Sequence, residues 1–137
     1  MDHSFFTWRT RNWGAAMEKE NKLAHSKTAI IRDLNDRLRQ GDKSVSGQIV
    51  LTNGVVSLFG DPVMEQIELF EAVKSFDAFN EDNDPHNEHD FGAFDFKGEK
   101  LFWKIDYYAP DMMHGSEDPN DCSITVRLLT ILLAREY

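Results

Sequence analysis

The sequence predicts an α+β domain, a small antiparallel sheet of one or two β-hairpins packed against about three helices. Three observations carry that expectation. Apolar residues fall at helical spacing between Leu23 and Leu38. A second apolar run follows Asp61-Pro62, a pair suited to start a helix. Residues 89–108 alternate between two sets of side chains, as a hairpin would. The 137 residues make one domain's worth of chain, and a hydrophobic share of 41% separates it from disordered acidic sequences.

Residues 1–20 read as an N-terminal aromatic and basic arm, and residues 21–137 as the single α+β domain. The arm places Phe5, Phe6, Trp8 and Trp13 beside Arg9 and Arg11. Such a segment can dock on the body, seal a homodimer, or stack on single-stranded nucleic acid. In the first helix Leu23, Ile30, Ile31, Leu34 and Leu38 form one face, and Gly41 ends it. Arg32–Asp36 and Asp33–Arg37 are spaced as exposed i,i+4 pairs.

"GQIVLTNGVVSLFG" is the first strand region. Asn53-Gly54 suits a type I′ hairpin turn; the alternative is one strand, Gln48 to Thr52, followed by a turn. The helix after Asp61 buries Met64, Ile67, Phe70, Val73 and Phe76. The second hairpin, with a turn at Gly98-Glu99, sets Phe94, Phe96, Leu101, Trp103, Ile105 and Tyr107 on one face. The other face carries His89, Phe91, Asp95, Phe102, Lys104, Asp106 and Tyr108. "DCSITVRLLTILLAREY" is apolar on most of its circumference and reads as a buried final helix starting near Cys122.

Charge is uneven. Residues 1–47 hold nine Lys/Arg against six Asp/Glu, and the remainder holds six against eighteen, so +3 and −12 make the net −9. An acidic body repels nucleic acid and suits a basic partner. Direct nucleic-acid contact is expected only through the arm. The single cysteine excludes a disulfide framework within the chain and fits a cytoplasmic setting. No apolar run approaches the ~20 residues that span a bilayer, so no membrane contact is expected.

The loop "DPHNEHDFG", Asp84 to Gly92, concentrates the chemistry. Three readings are open. His86, His89 and Asp90 could ligate a divalent metal, the one cofactor the sequence suggests; an EF-hand is excluded because Pro85 stands where that loop needs Gly. Alternatively His89, opposite Tyr108 and diagonal to Asp106, could serve acid–base catalysis with Lys104 and Tyr108 flanking. In the third reading the loop is a structural turn, with His89 and Asp106 pinning two strands. A binding surface is predicted from the acidic Asp82, Asp84, Glu88 and Asp90 together with Phe91 and Phe102.

The motifs "IRDLNDRLRQ", "IVLTNGV", "FDAFNEDNDPHNEHDFGAF", "FWKIDYYAPD" and "LLTILLAREY" resemble a family of small bacterial proteins. That family is catalogued as a domain of unknown function and often carried on plasmids and other mobile elements. Its pattern falls on Asn83, Asp84, Pro85, His86, Glu88 to Gly92 and Phe102 to Tyr108. The resemblance implies where a site lies and leaves its chemistry open. The function expected is that of a small acidic accessory protein that binds a host protein or nucleic-acid-processing complex, in the manner of anti-restriction or anti-CRISPR inhibitors. The alternative is a small hydrolase-like or metal-binding enzyme using the His/Asp pair.

Overall fold

The structure, a computed structural model, describes the backbone of residues 3–137 and the side chains of residues 17–137. Helix α1 spans His3–Arg39, strand β1 Gly47–Leu51, helix α2 Asn53–Val56 and helix α3 Pro62–Lys74. Strands β2, Phe91–Phe96, β3, Glu99–Tyr108, and β4, Val126–Leu133, complete one sheet before a 3-10 turn at Ala134–Glu136. The α+β class expected from the sequence holds.

The sheet order is β1-β4-β3-β2. β1 runs parallel to β4, while β4–β3 and β3–β2 are antiparallel, so the sheet is mixed where an antiparallel one was expected. Two differences explain this. Asn53-Gly54 does not turn a hairpin: Thr52 caps α2, its hydroxyl accepting from the Val55 amide at 3.3 Å. That leaves β1 as a single strand, the alternative reading of the region. The last segment is a strand, not a helix. Its continuous apolar run fits the sheet interior, where β4 is hydrogen-bonded on both edges and buried on one face.

Odd-numbered residues of β3 and β4 make the inner face. Leu101, Trp103, Leu129 and Ile131 are fully buried there, each burial contributing about 1.5–3 kcal/mol. Leu34 and Leu38 of α1, Val55 of α2, and Leu69 and Val73 of α3 pack against them. α3 starts as its sequence dictates, with Asp61 accepting from the Met64 amide at 3.3 Å and Pro62 opening the helix. Of its expected stripe, Val73 is buried, whereas Met64 and Ile67 are exposed and Leu69 takes the central place.

The β2–β3 hairpin turns at Lys97-Gly98, both with positive φ, rather than at Gly98-Glu99. Phe91 therefore pairs with Lys104 and Phe94 with Leu101. The shift from the expected pairing is two residues, so the side chains within β2 and β3 keep the face the alternation gave them. α1 continues unbroken through residue 20. The arm's Phe5, Phe6, Trp8, Arg9, Arg11 and Trp13 lie outside the residues with described side chains. No helix among the described residues is long and apolar enough to cross a membrane.

Candidate functional site

The loop between α3 and β2 is fastened to α1 rather than to the hairpin. Its pivot is Asp84, nearly fully buried. One carboxylate oxygen of Asp84 accepts from the amides of Glu88 at 3.0 Å and His89 at 3.2 Å. The Asp84 amide donates to the Asn80 carbonyl at 2.9 Å, and Asn80 Oδ1 takes the amides of Asp82 and Asn83. Asn87 and His89 both adopt positive φ, 57° and 54°. Those conformations cost side-chain-bearing residues energy and are held by the surrounding bonds.

The positive φ at His89 ends the strand alternation and swings its ring to the helix side. The ring stacks flat on Phe79, centroids 3.8 Å apart. Phe79 in turn meets the inner-face Trp103 edge-on. His89 Nδ1 lies 2.9 Å from Asp36 Oδ1 of α1. An ionised carboxylate only accepts, so Nδ1 carries the proton there. Nε2 faces Asp84 Oδ2 at 3.8 Å.

The same Asp36 pairs with Arg39 at 2.9 Å. Arg39 is buried and donates to the carbonyls of Val73, Lys74 and Phe76, closing the C-terminal end of α3. One polar chain thus joins α1, α3 and the loop. A second joins α1 to the sheet. Fully buried Asn35 donates to the Glu88 carbonyl at 3.0 Å and to Tyr107 Oη at 2.7 Å, and accepts from Arg127 Nε at 2.7 Å. Tyr107 donates to Glu88 Oε2 at 2.8 Å. Burial pushes the Tyr107 hydroxyl far above the usual phenol range, so it stays protonated and can donate. Burial lowers the Arg127 guanidinium from its ordinary value, while the ring of Tyr107 lies 5.2 Å beneath it.

The residues expected in the site separate accordingly. His89 does not meet Asp106, because the two side chains occupy opposite faces of the sheet. Asp106 pairs with Lys104 at 2.6 Å on the outer face, where Tyr108 is half-buried. The His89–Asp106 arrangement that motivated acid–base catalysis is replaced by His89–Asp36. Of the acidic residues, Asp82 is exposed, whereas Asp84 and Glu88 are turned inward to hold backbone and Tyr107. Asp90 is half-buried, and desolvation, then the charges of Glu88 and Asp84, raise its carboxyl above the usual range. No three His, Cys, Asp or Glu side chains that could hold a metal ion converge among the described residues. His86 is exposed in a concavity beside Arg32, apart from the engaged His89. Cys122 is exposed in a turn and starts no helix.

Phe91 and Phe102 share the outer face and meet there, centroids 5.0 Å apart. Tyr137 joins them at 6.1 Å and 5.6 Å, folded back by the 3-10 turn. Sequence reasoning missed Tyr137 and the α1 residues Asn35, Asp36 and Arg39. Asp36 looked like an exposed partner of Arg32. A signal was present in "LNDRLR", where Asn35 sits next to the buried Leu34 and Arg39 next to Leu38.

The chain matches the family described as "Protein of unknown function (DUF3768)" over residues 51–136. Neither the curated proteins nor the solved structures give a match. The matched segment holds the Asp84–Gly92 loop, the β2–β3 hairpin and β4, whereas Asn35, Asp36 and Arg39 come from α1 before it. The polar loop and the hairpin that receive these α1 contacts lie within the matched residues, and the chain belongs to the family of proteins of unknown function DUF3768.

Proposed function

We propose that this chain is a non-enzymatic binding protein whose contact surface is the outer face of the sheet and whose partner is a basic protein. The observation that carries this reading is the aromatic trio Phe91, Phe102 and Tyr137 on the face opposite the helices. Tyr137 is 76% exposed, and the ion pair Lys104–Asp106 adds polar groups to the same side. An aromatic cluster bordered by charged groups is the usual anatomy of a protein contact.

The sign of the partner follows from charge. The −12 carried by residues 48–137 favours association with a positively charged surface. Basic clefts belong above all to proteins that handle nucleic acid. An inhibitor of such a complex, the anti-restriction or anti-CRISPR class, is the specific form of this proposal. The inward use of Asp84 and Glu88 by the fold moves the expected contact away from the polar loop and onto the hairpin.

The test is capture from bacterial lysate with the wild-type chain and with Phe102→Ser and Tyr137→Ser. The expected result is a basic partner retained by wild type, lost with both substitutions and released by moderate salt. Capture that is indifferent to both substitutions, or recovery only of acidic proteins, would overturn the reading.

A further inference from the structure

We infer that the concavity between α1 and the polar loop is a binding site for a phosphate-type oxyanion. His25, Thr28 and Arg32 line one wall, and His86 and Asn87 the other. The first three stand at i, i+3 and i+7 on α1, so one helix face presents all of them. The loop supplies the other two at the positive-φ turn beside Asn87.

The chemistry of this lining is unusual for the chain. The protein carries 24 Asp and Glu, yet no carboxylate lines the concavity. Its nitrogen donors are a guanidinium, two imidazoles and an amide. Arg32 is also set apart from its neighbours. Arg37, Arg39 and Arg135 each hold a carboxylate, and Arg127 is buried against Asn35. Arg32 instead spends one N–H on the Asn87 carbonyl at 3.2 Å, and among the described residues no carboxylate meets it. That bond ties the guanidinium to the loop, and its remaining donors have no partner among the described residues where Arg32 lines the concavity. A pre-positioned guanidinium flanked by imidazole donors matches the several oxygens of a phosphate group.

The site involves none of the outer-face residues, so it stands or falls independently of the protein-binding proposal. It also gives exposed His86 a role that the fold does not require of it.

The probe is inorganic phosphate, added at constant ionic strength while backbone amide resonances are followed. Saturable shifts confined to residues 25–32 and 86–87 are expected, with a dissociation constant of about 1 mM, as a few charge-assisted hydrogen bonds to a small ion would give. Arg32→Gln should weaken binding about tenfold, the loss of one such hydrogen bond. Because Arg32 also braces the loop, the double substitution His25→Gln with His86→Gln, both exposed positions, serves as the second variant. It should weaken binding with an unchanged melting temperature. Absence of saturation, shifts scattered over the surface, undiminished binding in both variants, or equal binding of acetate would each overturn the assignment.

Discussion

Asp36 and His89 stand 53 positions apart in the chain and meet at 2.9 Å, where the last turns of α1 receive the polar loop. The contact makes an imidazole the mortise between a helix and a loop. His89→Ala removes that bond and the stacking on Phe79 together. It should cost about 2 kcal/mol, read as a lower denaturation midpoint. An unchanged midpoint would show that His89 is held for something other than stability and would revive a catalytic role with Asp36 as the orienting carboxylate.

Asp36→Asn should cost more, about 3 kcal/mol, because buried Arg39 keeps its charge and loses its carboxylate. Since both residues act through the same carboxylate, the effects of Asp36→Asn and His89→Ala should not add. A double-mutant cycle should return a coupling of about 1 kcal/mol; strict additivity would contradict the shared network.

Asn35→Ala opens the second network. The substitution leaves fully buried Arg127 Nε and the part-buried Glu88 carbonyl without their partner. An unsatisfied buried group costs about 1–3 kcal/mol, and here two are created at once. Thermal melting should fall by several degrees, and a loss below one degree would mean that Arg127 has found another acceptor.

Gly92 faces Trp103 across the hairpin. A methyl group there would lie 2.7 Å from Trp103 Cε2 and 2.8 Å from Phe76 Cε1. Trp103 is fully buried and Phe76 packs edge-on against it, so neither ring yields cheaply. Gly92→Ala should cost about 2 kcal/mol and change the tryptophan emission. Wild-type stability with unaltered emission would place Trp103 elsewhere.

What the sequence revealed depends on whether local chemistry or distant packing decided each element. Asp61-Pro62 started α3 because an N-cap and a proline act within one turn. The hairpin faces survived a wrong turn position because a two-residue slip preserves parity. β4 was misread because "VRLLTILL" is apolar at every period, and its strand state is set by pairing with β1 and β3. That Phe91 and Phe102 share a face was legible from alternation alone, whereas their contact follows from the observed register, which sets Phe91 against Lys104. His89 was not, since one positive φ removed it from the strand pattern, and its true partner lies in α1. Asn35 and Arg39 border the apolar stripe at Leu34 and Leu38, but the segments that cover them, β4 and the end of α3, lie far along the chain.

Asp90 offers a prediction whose sign depends on pH. Its carboxyl is raised chiefly by burial, then by the negative charges of Glu88 and Asp84, with a hydrogen bond from its own backbone amide and then His86 acting in the other direction. The folded protein therefore binds the Asp90 proton more readily than the unfolded chain does. Such a group favours the folded state in acid and works against it once pH rises through the unfolded carboxylate range, where the native state must ionise a group held in a hostile setting. Asp90→Asn removes the charge and keeps the shape. At pH 7 the variant should melt above wild type, and the advantage should shrink as pH falls, vanishing near about pH 3 where both carry a neutral side chain. Thermal melts across that range decide the matter. A variant that is less stable than wild type at pH 7 would mean that the Asp90 carboxylate accepts a bond the fold needs, and that the acidic crowding around the loop is relieved by some other group.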